Sequence, residues 1–187
     1  MKVWFVTSNK GKVKEVMPVF EEYGIDVKIA SVEIDEIKTF DQRKLTLRKL
    51  EDAMKITKKP TIVEDTGIYF KVYKNFPGTV SKFVFHAIGY EGIFKLLEGK
   101  DRHAYFRTVV AFGVPKEKPV MFEGKCFGII TKKVLGKIDR KLPYDSIFIP
   151  KGDSRTFSQM TKREKAKYSH RVKAFKKLAR WLVKRYG

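Results

Sequence analysis

The chain has a single cysteine, Cys126, among its 187 residues. One thiol excludes an internal disulfide framework and a multi-cysteine metal site, and it suits a reducing, cytoplasmic setting. Long apolar runs are missing too. Met1-Lys2-Val3-Trp4-Phe5 is shorter than the apolar stretch of a signal peptide, and no run approaches the roughly 20 residues that span a bilayer. A soluble, intracellular protein with no membrane partner is expected. Acidic residues are scarce, 21 Asp plus Glu against 41 Lys plus Arg, for a formal charge of +20. Such a field attracts anions, nucleotides or nucleic acid, without choosing between them. Repeats and low-complexity linkers are absent as well. With 43% hydrophobic residues, the chain can fill one core, and a single domain over residues 1–187 is expected.

What is present begins with a strand-like run, Lys2 to Val6, followed by Thr7-Ser8-Asn9-Lys10-Gly11-Lys12. Small hydroxyl and amide groups at a strand end, a glycine for close backbone approach and a following helix N-terminus with free N–H groups make a candidate phosphate cradle. It is not a Walker A loop. Val6 stands where that motif needs its first glycine, and Val13 where it needs Ser or Thr for magnesium, so any metal is held elsewhere. Val13, Val16, Phe20 and Tyr23 then recur at helical spacing up to Gly24, with Pro18 expected to kink or split the helix. Val27 to Val32 reads as a strand, Glu33-Ile34-Asp35-Glu36 as an acidic segment, and the next stretch as a helix presenting Leu47, Leu50 and Met54. Strand, helix, strand, helix indicates an α/β fold.

Thr61 to Phe70 reads as a third strand interrupted by Glu64-Asp65-Thr66-Gly67, and Asn75-Phe76-Pro77-Gly78 as a turn. Ser81 to Ile88 and Glu91 to Leu97 read as two helices parted by Gly89, with a stop at Gly99. His103 to Val114 and Pro119 to Val134, rich in Val, Phe, Ile and Thr, read as a long hairpin that forms the spine of a mixed sheet or a second lobe. Leu142-Pro143-Tyr144-Asp145 is a loop before a short strand, Ser146 to Ile149. Thr161-Lys162-Arg163-Glu164 fits a capping box, and Val172, Phe175, Ala179, Leu182 and Tyr186 make one apolar face of a final helix.

Two further segments carry chemistry. Adjacent carboxylates at Glu64-Asp65, at the end of an apolar strand, suit a hard cation. If that strand is parallel to the first, Asp65 sits where α/β sheets bind ligands, able to hold Mg²⁺ or to take a proton from water. Lys165 and His170 are five residues apart, about 140° around a continuous helix, and could not face one ligand together. Ser169 offers a break: as an N-cap it starts a new helix at His170 and sets His170 and Arg171 at its N-terminus.

Together these segments resemble the inosine triphosphate pyrophosphatases, which hydrolyse non-standard purine nucleoside triphosphates to a monophosphate and pyrophosphate. Thr7 to Lys12 with Glu15 is similar to the family's opening phosphate motif, Glu64-Asp65-Thr66-Gly67 to its acidic motif, Phe76-Pro77-Gly78 to its central turn and Ser169-His170-Arg171 to its closing motif. The resemblance implies a mixed twisted sheet with flanking helices, in two lobes around a substrate cleft, and a homodimer. It implies that Thr7, Ser8, Asn9, Lys10, Gly11, Lys12 and Lys49 hold the phosphates. Glu36 and Asp65 would bind Mg²⁺, with Asp65 also accepting the proton of the attacking water. Thr66, Leu142, Pro143, Tyr144, Asp145, Lys165, His170 and Arg171 would complete the nucleotide site, the closing pair near the base. The chain departs from the family at Leu142-Pro143, where an aromatic and a glycine are usual; this bears on base packing more than on hydrolysis.

Two other classes compete with this reading. Related pyrophosphatases of pyrimidine or modified nucleotides share the opening motif but not Ser169-His170-Arg171. A basic nucleic-acid-binding module is permitted by Tyr105 and Phe106-Arg107, but it leaves Glu64-Asp65, which would repel a phosphate backbone, without a purpose.

Overall fold

The computed structural model describes residues 2–187. The chain runs β1 (Lys2–Val6), α1 (Lys10–Glu22), β2 (Asp26–Ala30), α2 (Gln42–Thr57), β3 (Thr61–Phe70), β4 (Pro77–Gly78) and α3 (Ser81–Leu96). It continues with β5 (His103–Gly113), β6 (Val120–Ile130), β7 (Phe148–Pro150), α4 (Lys162–Tyr168) and α5 (His170–Tyr186). The strands form one sheet in the order β2-β1-β3-β5-β6-β7, with β4 paired to β3. β1 is parallel to β2 and β3, and the remaining pairs are antiparallel. The mixed α/β sheet expected from the sequence is therefore present.

Alternation along the strands divides the interior between two faces. Val3, Phe5 and Ile62 pack with α1 and α5, where Phe175 meets Phe5 and Phe20 edge-on at 5.3 and 5.6 Å. Val6 and Val63 point the other way, onto Leu50 and Ala53 of α2. Helices thus cover both faces, and β1 lies between β2 and β3 with its crossovers on opposite sides. That arrangement leaves a crevice beyond the C-terminal end of β1. A third apolar cluster, with Ile68, Phe70, Phe106, Phe148 and Phe157, fills the far end of the sheet beneath α3.

The break expected within β3 does not exist. β5 pairs with all ten β3 residues, from Thr61 opposite Gly113 to Phe70 opposite Ala104, and holds the acidic segment in strand geometry. The other edge of β3 is shared, since β1 reaches only Thr61 and Ile62 while β4 takes Ile68 and Tyr69. Residues 63–67 therefore lie in a gap between two partner strands. Gly67 is required there by contact, since a Cβ would come within 2.5 Å of Gly78 O.

Other boundaries shift modestly. Pro18, exposed on α1, does not divide that helix. α2 buries Gln42, Leu45, Thr46, Leu50 and Ala53 rather than Leu47. α3 breaks its helical geometry at Gly89 (φ 59°, ψ −163°), as the sequence suggests. β6 ends at Ile130, four residues before the expected Val134, and β7 covers Phe148–Pro150 rather than Ser146 to Ile149. Short 3-10 turns at Pro143–Ser146 and Phe157–Gln159 replace plain loop.

Candidate active site

Thr7 to Lys12 form the turn from β1 into α1, at the mouth of the crevice. Asn9 caps the helix: its Oδ1 accepts from Gly11 N (2.9 Å) and Lys12 N (3.2 Å), and Thr7 Oγ1 accepts from Asn9 N (3.2 Å). The N-cap asparagine thus takes up two of the first-turn N–H groups, those of Gly11 and Lys12, and the exposed Ser8 and Lys10 lie at the start of the turn. Lys12 is directed inward, into an ion pair with Glu64 Oε1.

Because β3 is continuous, Glu64 and Asp65 project from opposite faces of the sheet. The two adjacent carboxylates are not one pair of ligands. Glu64 lies on the α1–α5 face, 2% exposed, between Lys12 and Arg171 Nε (3.5 Å), and accepts from Thr66 Oγ1 at 2.7 Å. Burial works against its charge, but Lys12 and Arg171 outweigh burial and hold the carboxyl well below its usual range. Asp65 faces α2. Gln42, buried at the start of α2, donates to the main-chain oxygens of Asp65 (3.1 Å) and Arg107 (3.0 Å) and ties α2 to the paired strands β3 and β5. The Asp65 carboxylate, by contrast, has Oδ2 fully enclosed with no hydrogen-bond partner. Burial pushes its pKa up to about 6, Lys12 opposing and Glu64 and Glu36 assisting.

The closing segment comes to the same place. The capping box closes as expected, with Thr161 N donating to Glu164 Oε2 at 2.8 Å and Glu164 N to Thr161 Oγ1 at 3.3 Å. Ser169 separates α4 from α5 and caps α5 by accepting from Val172 N at 3.2 Å. The first turn of α5 lies flush on β6 because residue 124 is glycine; a Cβ there would fall 2.1 Å from His170 O. Arg171 is buried, with Nη1 donating to Glu15 Oε2 (2.5 Å) and Nη2 to Thr66 Oγ1 (3.3 Å). Glu15 also accepts from Ser169 Oγ and lies 3.8 Å from Lys165 Nζ. These cations overcome burial and take its pKa down to about 2. His170 Nδ1 is 2.7 Å from Thr108 Oγ1, whose hydroxyl is 2.6 Å from that of Thr66, and the imidazole stacks on Phe106 at 4.6 Å. Burial first, and Arg171 second, lower its pKa well below 6.5.

The 142–145 loop is split between the two sides of its chain. Leu142 packs toward Gly11, its Cδ1 3.5 Å from where a Cβ on that glycine would sit. Pro143 O accepts from Tyr90 OH at 2.9 Å, and Asp145 Oδ2 accepts from Lys165 Nζ at 2.5 Å. Tyr144 is directed inward between Phe70 and Phe85 and donates to Ser81 O at 2.9 Å. It supports the loop from inside instead of facing a ligand, which corrects its expected place on the substrate. Lys49, on α2, donates to Glu36 Oε1 at 2.6 Å. Among the described residues no group of three or more His, Cys, Asp or Glu side chains is arranged to enclose a metal. Two grooves of about 500 and 410 Å³ run past Ile129 and Ile149, and none of the motif residues lines them.

The family model for the Ham1 family matches residues 3–181. The chain belongs to the Ham1 family. A relative from Pyrococcus horikoshii named dITP/XTP pyrophosphatase is 38% identical over 191 residues, covering 97% of each chain. One from Methanopyrus kandleri with the same name is 37% identical over 182 residues, covering 97% of this chain and 96% of its own. The solved structure of a HAM1 protein from Coxiella burnetii superposes with a TM-score of 0.82 over 98% of this chain and 99% of its own, at 22% identity, and so attests the fold. In this Ham1 chain, three residues at the centre of the network had no assigned contact with the nucleotide: Glu15 and Glu64, which belong to the opening and acidic motifs, and Thr108, which belongs to none. Glu15 is four residues after Gly11 in the opening motif and Glu64 precedes Asp65, so both had a local signal; an isolated threonine in a strand has none.

Proposed function

We propose that this protein hydrolyses 6-keto purine nucleoside triphosphates, ITP, dITP and XTP, to the monophosphate and pyrophosphate. The observation that carries the proposal is the meeting of three distant segments in one buried network, Lys12–Glu64–Arg171–Glu15, beside a carboxylate, Asp65, whose enclosed oxygen has no partner. The names of the Methanopyrus and Pyrococcus relatives support the substrate class. In this reading Lys10 and Lys49 offset phosphate charge, and Asp65 orients and deprotonates water for attack at the α-phosphorus, with pyrophosphate leaving.

A divalent cation fits the donor set. An orphaned buried carboxylate oxygen is a rare and costly feature, and Asp65 with Glu36 gives the one or two carboxylates that Mg²⁺ uses alongside substrate phosphates and water. Bound there, Mg²⁺ supplies charge neutralisation and polarisation of a water molecule. Lys49 holds Glu36 in position. The buried free thiol of Cys126 supports a reducing cytoplasmic setting, and the exposed apolar side chains Phe83 and Ile88 on α3 support a homodimer.

The test is pyrophosphate release from a panel of ITP, XTP, ATP and GTP with Mg²⁺. A 6-amino group presents donors where a 6-keto group accepts, and one unpaired buried polar group costs about 1 to 3 kcal/mol. ITP and XTP should therefore exceed ATP in kcat/KM by roughly 5- to 150-fold. Equal rates on all four would remove the specificity, and no release would remove the enzyme.

A further inference from the structure

Four side chains from three elements form a line of short contacts across the sheet: Glu64 and Thr66 on β3, Thr108 on β5 and His170 on α5. Their proton directions are fixed from one end. Glu64 is a carboxylate between Lys12 and Arg171 and can only accept, so Thr66 donates its single hydroxyl proton to it (2.7 Å). The Thr66 oxygen is left as an acceptor, for Arg171 Nη2 (3.3 Å) and for Thr108 (2.6 Å). Thr108 has then used its own proton and can only accept at its remaining contact, His170 Nδ1 (2.7 Å).

We propose that Thr108 is a positioning residue of the nucleotide site, through which the Glu64 carboxylate fixes His170 in the tautomer protonated at Nδ1 and leaves Nε2 as a hydrogen-bond acceptor. Burial beside Arg171 keeps the imidazole neutral near pH 7, so Nε2 carries a lone pair. Nε2 bonds no protein atom, and it is not among the fully enclosed polar atoms without partners. The ligand chemistry that complements it is a ring N–H, as in the lactam of a 6-keto purine; adenine has a lone pair at the equivalent nitrogen and would meet Nε2 with repulsion. This consequence rests on the function proposed above, whereas the relay itself does not. The packing supports the relay: Thr108 is fully buried, Gly124 opposite it in β6 lets α5 lie close, and Phe106 stacks on the ring and holds its plane.

The decisive measurement is the two-bond ¹H–¹⁵N correlation spectrum of labelled protein, in which a His170→Gln variant separates the His170 signals from those of His86 and His103. The wild type should show His170 Nδ1 in the protonated range and Nε2 in the unprotonated range; the reverse pattern overturns the proposal. Thr108→Val keeps the shape and removes the hydroxyl, so the ring is released from its tautomer, and Thr108→Ser should restore it. In kinetics Thr108→Val should lower the ratio of kcat/KM for ITP over ATP about tenfold, chiefly through KM for ITP, while Thr108→Ser keeps the wild-type ratio. A Thr108→Val protein with wild-type spectrum and ratio overturns the relay. If Thr108→Val fails to fold, the wild-type and Thr108→Ser spectra still decide. A protein that shows the tautomer but releases no pyrophosphate from any nucleotide keeps the relay and removes the functional reading.

Discussion

Asp65 is held in a state that folding alone would not favour. Its pKa rises from an ordinary 3.8 to about 6 because burial disfavours the charge, with Glu64 and Glu36 adding to the effect and Lys12 and Lys49 offsetting part of it. For an acid whose folded pKa is raised, ionisation costs stability: the cost is absent below about pH 3.8, grows between 3.8 and 6, and is complete above 6. About two pKa units correspond to something on the order of 3 kcal/mol. Replacement of Asp65 by Asn removes the ionisation while keeping the shape. In chelator-treated protein, Asp65→Asn should melt several degrees above wild type at pH 8, at about 2 to 4 °C per kcal/mol for a chain of this size, and at the wild-type temperature below pH 4. The same variant should lose turnover. Thermal melts at the two pH values with a pyrophosphate assay check both halves. A variant that melts below wild type at pH 8 would show that ionised Asp65 does not cost stability, and one that stays active would show that Asp65 is not catalytic.

At the scale of elements, the site depends on two strands and a helix that the sequence joins only over long distances. Caps were legible, since Ser169 and the Thr161–Glu164 box act within three residues of themselves. The unbroken β3 was not. Its acidic centre looks like a turn until β5, some 40 residues later, pairs along its whole length, and only then does the two-residue period send Glu64 and Asp65 to opposite faces. The Arg171–Glu15 pair spans 156 positions in sequence, and no local pattern announces it. Gly124 did carry a signal, because an isolated glycine inside a strand marks close backbone approach. Gly124→Ala should push the first turn of α5 off β6, since its Cβ would fall 2.1 Å from His170 O and 2.7 Å from Ala174 N. Overpacking of this kind costs about 1 to 3 kcal/mol. His170 and Arg171 ride on that turn, so kcat/KM should fall at temperatures where the variant is fully folded, which circular dichroism and initial rates together establish. Unchanged rates in a folded variant would mean that the α5 N-terminus does not set the site.

For the whole molecule, the charge excess and the site answer different questions. Within the buried network, Lys12, Arg171 and Lys165 are matched by Glu64, Glu15 and Asp145, so the formal +20 resides almost wholly outside it, on side chains in water. Paired internal charges hold geometry, and unpaired surface charges make a long-range field. A polyanionic substrate feels that field before it makes contact, over a Debye length of about 30 Å at 0.01 M salt but only about 8 Å at 0.15 M. Steering of this kind raises association rates and leaves later steps alone. Raising ionic strength over that range should therefore lower kcat/KM for ITP several-fold while kcat at saturation changes less than about twofold. Initial-rate kinetics in a salt series, with free Mg²⁺ held constant, distinguish the outcomes. A flat kcat/KM would make the basic surface irrelevant to substrate capture. A kcat that falls in step with kcat/KM would place the salt-sensitive charges in the reaction itself and contradict a network whose internal charges are shielded from solvent ions by burial.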